Sequence, residues 1–135
     1  FVGSSYAYMS ARDLARVGLL MQRDGRWGEQ QLLPKAWVEF NRTPFANYQP
    51  QADKPGEAVP GGQWWLNAAV AGASRPWPDA PEDTLVASGH WGQGLYVIAS
   101  ENLVIVRYAD DRDGSFDRNH FLKLVLAALA DEVQP

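Results

Sequence analysis

Two apolar runs, residues 95–99 and 103–108, stand three residues apart in "LYVIASENLVIVRY". β-Branched and aromatic residues fill both. The intervening Ser100-Glu101-Asn102 leaves room only for a tight connection, so the runs predict an antiparallel hairpin. Neither run alternates cleanly between apolar and polar residues. Strands of that kind need cover on both faces, and the rest of the chain must supply it. Residues 84–88 add a short strand just before the hairpin, and "GGQWWLNA" reads as a further strand starting at Gly62.

The covering layers are legible as helices. In "SARDLARVGLLMQRDG", Ser10 and Asp13 have capping-box spacing, with Asp in place of the usual Glu or Gln. Leu14, Val17 and Met21 recur on one face, with Leu20 beside them. Gly18 costs about 1 kcal/mol against Ala inside a helix, which predicts that another backbone approaches there. Gly25 after Asp24 is a left-handed stop. "GRWGEQQLLP" reads as a turn or short hairpin, and Pro34 pre-sets the first turn of a second helix, "PKAWVEFNRT". Trp37, Val38 and Phe40 or Asn41 are expected on its buried side, and Thr43-Pro44 ends it. A last helix starts at Ser115 or Asp117, with Phe121, Leu124, Val125, Ala128 and Leu129 as its apolar stripe. Helix, helix, strands, helix is the order of an α+β fold, an antiparallel sheet flanked by helices. The 135 residues fit a single unit, interrupted by Pro-rich loops at about 44–61 and 70–83.

Several functions fall away on composition. The net charge is −4 and no dense Lys/Arg cluster occurs, so nucleic acid is not an expected partner. No apolar run approaches the roughly 20 residues of a membrane-spanning helix. The absence of cysteine removes disulfides, thiolate zinc ligands and thiol catalysis. The two histidines, His90 and His120, lack metal-ligand spacing, and nothing calls for a cofactor. His120, early in the last helix, reads as a surface or boundary residue. No Gly-x-Ser-x-Gly elbow occurs. Nor does Ser-x-x-Lys: the residues three after each serine are Ala7, Tyr8, Asp13, Trp77, Trp91, Leu103 and Arg118.

One segment still asks for chemistry. "SGHWGQG" sets His90 and Trp91 among glycines 89, 92 and 94, where a bulge or a close backbone approach is expected near a strand edge. Gly92-Gln93 would expose a backbone N–H beside His90, a donor suited to an oxyanion on an acyl substrate. The competing reading is a Gly-rich turn whose His and Trp pack or cap. Six tryptophans likewise fit either core filling or a cleft.

Three pieces occur in order: "SSYAYMSARDLARVGLLMQRDGRWGEQQLLPKAWVE", "GGQWWLN" and "ASGHWGQGLYVIASENLVIVRYAD". Together they resemble the C-terminal part of the serine β-lactamase-like family. Its members include class C β-lactamases, penicillin-binding proteins, carboxylesterases of the same fold and 6-aminohexanoate-dimer hydrolases. The resemblance spans nearly the whole chain and is weakest at 44–61 and 70–83. It implies the C-terminal portion of the β-lactamase/transpeptidase-like fold. It also implies an acyl-enzyme mechanism in an intact parent, on an ester, amide or β-lactam. His90-Trp91-Gly92 would occupy the place of the family's Lys-Thr-Gly element, as in its esterase and amide-hydrolase branches. Gln93 would then offer its N–H to the oxyanion, with Tyr96 packed on the same strand.

The departures carry as much weight. Without Ser-x-x-Lys, this chain is expected to turn over no acyl substrate alone. Tyr8-Met9-Ser10 opens a helix and does not take the family's Tyr role. The chain begins at Phe1 without a leader, so either a leader was removed or an N-terminal part is missing. The resemblance favours a periplasmic or secreted parent. A piece of this kind is expected to self-associate or to join a chain holding the rest. The alternative function is a non-catalytic module in which Trp64, Trp65, Trp77 and Trp91 form an aromatic groove for a sugar or peptide.

Overall fold

The expected hairpin forms, at one end of a five-stranded sheet. A computed structural model describes residues 7–51 and 57–132. Residues 52–56 of the first Pro-rich loop, and residues 1–6 with the "SSY" that opens the first quoted piece, lie outside the described residues. Strands β6 (Gly94–Ile98) and β7 (Leu103–Arg107) pair antiparallel, with Tyr96 opposite Ile105. Four residues turn the chain between them. Asn102 adopts φ 50°, and its N–H donates to the Ala99 carbonyl. The Asp83 carboxylate ties this turn down, accepting from the Ser100 N–H at 2.7 Å and its hydroxyl at 2.8 Å.

Strand β5 (Leu85–Ser88) flanks β6 on the other side, followed by β4 (Trp65–Leu66) and β3 (Val59–Pro60). All five strands are antiparallel, in the order β3-β4-β5-β6-β7. The α+β reading therefore holds: an antiparallel sheet flanked by helices. β3, inside the expected first loop, is an addition, because a two-residue strand containing Pro60 leaves no period in the sequence. Trp65–Leu66 is all that pairs of the strand expected from Gly62. A separate two-stranded ribbon, β1 (Arg26–Trp27) and β2 (Gln30–Gln31), realises the short hairpin after the first helix.

Alternation along the strands divides the core in two. Leu85, Leu95 and Val97 face one cluster, which Met21, Val38, Val59, Trp64 and Leu66 complete, with Leu14 and Val104 against it. Val86, Tyr96 and Ile98 face the other, with Trp77, Ala80 and Leu122. β6 is buried throughout, as expected for a strand covered on both faces. β7, the last strand of the sheet, is only half-buried along its length. Cover on both faces holds for β7 as well, with Val104 and Val106 against the first cluster and Leu103 and Ile105 against the second. Its partial exposure comes from its open edge, since it has a strand neighbour on one side only.

Helix α1 (Ala11–Gln22) covers the first face, with Ser10 at its N-cap: the Asp13 N–H donates to the Ser10 hydroxyl at 3.2 Å, and that hydroxyl donates to the Asp13 carboxylate at 2.6 Å. Its buried residues are Gly18 and Met21, while Val17 is exposed. The stripe thus runs through Gly18 instead of Val17, and side chains, not a backbone, fill the space over that glycine. A Cβ there would lie 2.5 Å from Val104 Cγ1 and 2.8 Å from Leu95 Cδ1. Helix α2 (Lys35–Arg42) starts one residue after Pro34 and buries Val38 and Asn41. Of the alternatives Phe40 and Asn41, Asn41 is the one turned inward; Trp37, expected inside, lies at the surface and stacks on Phe40 with centroids 5.4 Å apart. Arg42 anchors α2 to the end of α1 by donating to the Met21 carbonyl and the Asp24 carboxylate, each at 2.6 Å.

Helix α3 (Arg118–Glu132) covers the second face. Asp117 caps it, its carboxylate accepting from the His120 N–H at 2.9 Å. Leu122 is its buried residue, and Phe121 and Leu126 pack beside it. Leu124 and Ala128, two members of the expected stripe, are exposed. Nearly every position from 121 to 130 is apolar, so composition alone did not fix which face turns inward. No helix among the described residues is long and apolar enough to cross a membrane.

The second Pro-rich loop is organised by one side chain. Asn67, fully buried at the end of β4, donates to the carbonyls of Trp77, Ala80 and Pro81 at 2.9, 3.1 and 2.9 Å. Its own oxygen accepts from the Trp77 N–H at 2.8 Å. These bonds pin Trp77 over the second core.

Candidate functional site

Strand β5 delivers the chain to the segment "GHWGQ". Gly89 donates to the Gln93 carbonyl at 2.8 Å, and between them His90–Gly92 form a single 3-10 turn. Trp91 and Gly92 both take left-handed backbone angles, φ 53° and 78°. For Trp91 this costs about 1–2 kcal/mol, so the surroundings must hold it.

Three contacts do so. The Asp111 N–H donates to the Trp91 carbonyl at 3.0 Å. Arg107, at the end of β7, donates through Nη1 to the Gly92 carbonyl at 2.7 Å and to Asp111 Oδ2 at 2.6 Å. Its guanidinium lies 3.9 Å from the centre of the Phe116 ring. On the outside, Arg112 stacks over Trp91 at 4.1 Å, and the His90 and Trp91 rings sit 4.4 Å apart. A Cβ on Gly92 would collide with the Asp111 carboxylate and stand 2.7 Å from Arg107 Nη1. The close approach expected at these glycines is real. It comes from an ion pair, and it falls in the turn joining two inner strands, not at a strand edge.

His90, Trp91, Gly92 and Gln93 are thus brought together at the surface. His90 and Trp91 are exposed, Gly92 and Gln93 half-buried. The Gln93 N–H donates to the His90 carbonyl at 3.4 Å, a long and weak bond. Tyr96 is packed in the second core, as expected of it. Tyr8 is exposed just ahead of α1. His120 is exposed, in agreement with a surface role.

Beside the turn, on the α3 face of the sheet, lies an open groove of about 240 Å³ lined by Glu57, Ala58, Trp65, Ser88 and Arg118. Ser88 connects the two features, since it closes β5 and faces the groove. Its hydroxyl accepts from Arg118 Nη2 at 2.9 Å, and Arg118 Nε reaches the Tyr96 hydroxyl at 3.4 Å. The guanidinium also lies over the Trp77 ring at 5.4 Å. Among the described residues no carboxylate pairs with Arg118. Its bonds among the described residues go to hydroxyls, which leave the guanidinium charged in a groove that the Glu57 carboxylate also lines. Among the described residues, Arg118 is the side chain bonded to the Ser88 hydroxyl, and no imidazole or lysine is.

Sequence reasoning missed Arg118, Arg107 and Asp111. Arg118 was visible only as the residue three after Ser115, and its meeting with Ser88 spans 30 positions of chain. Arg107 lies within the second apolar run and Asp111 just after it, and their i,i+4 spacing close to a Gly-rich turn is a usable signal. The aromatic groove does not assemble. Trp64 belongs to the first core and Trp77 to the second, on opposite faces of the sheet, while Trp65 and Trp91 are half-exposed. Comparison with protein-family profiles and with curated proteins finds no match to this chain.

Proposed function

We propose that this chain is the C-terminal segment of a serine hydrolase of the β-lactamase-like family, acting in its intact form on an ester, amide or β-lactam. It contributes one wall of the acyl-binding cleft and no nucleophile. The observation that carries the reading is the His90–Gly92 turn: surface-exposed, clamped in a left-handed geometry, and continuous through Ser88 with a groove that presents Arg118. In this reading His90 and Trp91 stand where the family has a lysine and a threonine, and the Gln93 N–H faces the developing oxyanion. Arg118 supplies the positive charge that the absent lysine would have given to a substrate's anionic end. The partner is the portion of the parent that bears Ser-x-x-Lys and the Tyr element. In its absence, a second copy covers the apolar surface left open.

Incubation of the 135-residue chain with nitrophenyl acetate and with a fluorophosphonate probe tests the division of labour. Neither turnover nor labelling is expected. Stoichiometric labelling of a serine in this chain overturns the statement that the nucleophile lies elsewhere. The coding sequence ahead of Phe1 tests the family: Ser-x-x-Lys followed by a Tyr element is expected there, and a nearby start codon without them removes the reading.

A further inference from the structure

Arg107 and Asp111 hold the carbonyls of the turn. The Trp91 carbonyl is taken by the Asp111 N–H, and the Gly92 carbonyl by Arg107 Nη1. The same Nη1 bonds Asp111 Oδ2, so the two anchors are locked to each other. Both side chains are about three-quarters covered, at 24% and 25% exposure, where an ion pair is less screened than at the open surface. The ring of Phe116 closes over the guanidinium.

Peptide geometry makes this arrangement directional. No cis bond occurs among the described residues, so the 92–93 carbonyl and N–H point in opposite directions. A cation fixed on the Gly92 oxygen therefore fixes where the Gln93 N–H points. It also draws electron density toward that oxygen, which makes the N–H a stronger donor. Among the described residues that N–H makes one bond, the long 3.4 Å contact to the His90 carbonyl, with which an incoming oxygen competes easily. Gly92 suits the place, because a side chain there would be strained at φ 78° and would push the ion pair aside.

We infer that Arg107 and Asp111 are positioning residues for the Gln93 amide: they grip the turn's carbonyls from behind and so aim and polarise its N–H toward the front. The inference rests on the proposed role of Gln93 for its purpose, but the clamp itself is measurable in this chain alone.

The test uses the ¹⁵N-labelled 135-residue chain, its Arg107→Met and Asp111→Ala variants, and amide spectra with relaxation dispersion. In the parent sequence the Gln93 amide gives one sharp resonance without microsecond–millisecond exchange. In both variants that resonance shifts and gains an exchange contribution shared by Trp91 and Gly92, while Tyr96 and Val97 in β6 stay in place. A purely structural ion pair would instead move the sheet amides or the melting temperature and leave Gln93 where it was. If Arg107→Met loosens the sheet, Asp111→Ala, which lies outside it, decides. An unmoved Gln93 resonance in a folded Asp111→Ala chain overturns the inference. Failure of the hydrolase reading changes none of these spectra, so the two outcomes are told apart.

Discussion

Gly18 shows how a single hydrogen in place of a methyl sets a layer spacing. In an exposed helix, Ala would gain about 1 kcal/mol over Gly. Here the added carbon meets Val104 and Leu95 at 2.5 and 2.8 Å, and overpacking of that kind costs about 1–3 kcal/mol. Gly18→Ala is therefore expected to destabilise the chain by roughly 1 kcal/mol net, read as a lower urea midpoint at unchanged slope. Adding Val104→Ala removes the obstruction, so the double variant should lose less than the two single losses summed. Asn67 is the polar counterpart. It satisfies three carbonyls and one N–H in a fully buried position. Asn67→Ala leaves the Trp77 N–H without its acceptor and takes one of the donors from each carbonyl, at a cost of about 1–3 kcal/mol. The carbonyls keep their bonds from Ala80, Arg75 and Thr84. A red shift of tryptophan emission as Trp77 becomes wet is the accompanying signature, and an unchanged urea midpoint would refute the role.

At the scale of elements, α1 depends on its cap, and the cap depends on pH. The Ser10 hydroxyl, chiefly, and the neighbouring Arg16 hold the Asp13 carboxyl below the ordinary carboxylate value, while the slight desolvation acts the other way. A carboxyl whose folded value is depressed stabilises the fold above its unfolded value, about 3.9, and that contribution is lost as pH falls through the lower folded value. Thermal stability of the chain should thus decline below about pH 4 with a component that Asp13→Asn abolishes. An identical pH profile in the variant would remove Asp13 from the account. This cap was readable from the sequence because both partners lie within one turn, and the same holds for Gly25, Thr43-Pro44 and the β6–β7 hairpin. What the sequence concealed was orientation. Val17, Trp37 and Leu124 are apolar enough to belong inside, yet on each helix a near neighbour takes the buried place: Gly18, Val38 and Leu122. Local pattern names an amphipathic helix, but the choice between adjacent faces is settled by the sheet beneath. The site divides the same way. The "GHWGQ" segment stood out by its glycines, whereas Arg118 meets Ser88 only through tertiary folding.

The whole molecule carries two apolar surfaces that nothing in the described residues covers, and they differ in what they invite. On α2, Trp37 stacks on Phe40 at 5.4 Å, and Phe45 from the segment after the helix lies tilted against Phe40 at 6.5 Å, so part of their surface is already spent within the chain. On α3, Leu124 is 56% exposed with Ala127 and Ala128 exposed behind it, and the neighbouring β7 is the end strand of its sheet. An end strand presents unpaired backbone groups in addition to apolar area, which makes the α3–β7 side the better template for another chain. Two copies meeting there would form a symmetric contact, the commonest route to a dimer. Sedimentation equilibrium should accordingly show a dimer fraction that rises with concentration through the micromolar range. Leu124→Glu is expected to shift that equilibrium toward monomer by at least about tenfold, since burying an unpaired carboxylate costs well over 1.4 kcal/mol. Phe40→Glu should leave it unchanged. A monomer at every concentration would mean that the exposed α3 face is tolerated by solvent, and sensitivity to Phe40→Glu alone would move the contact to α2.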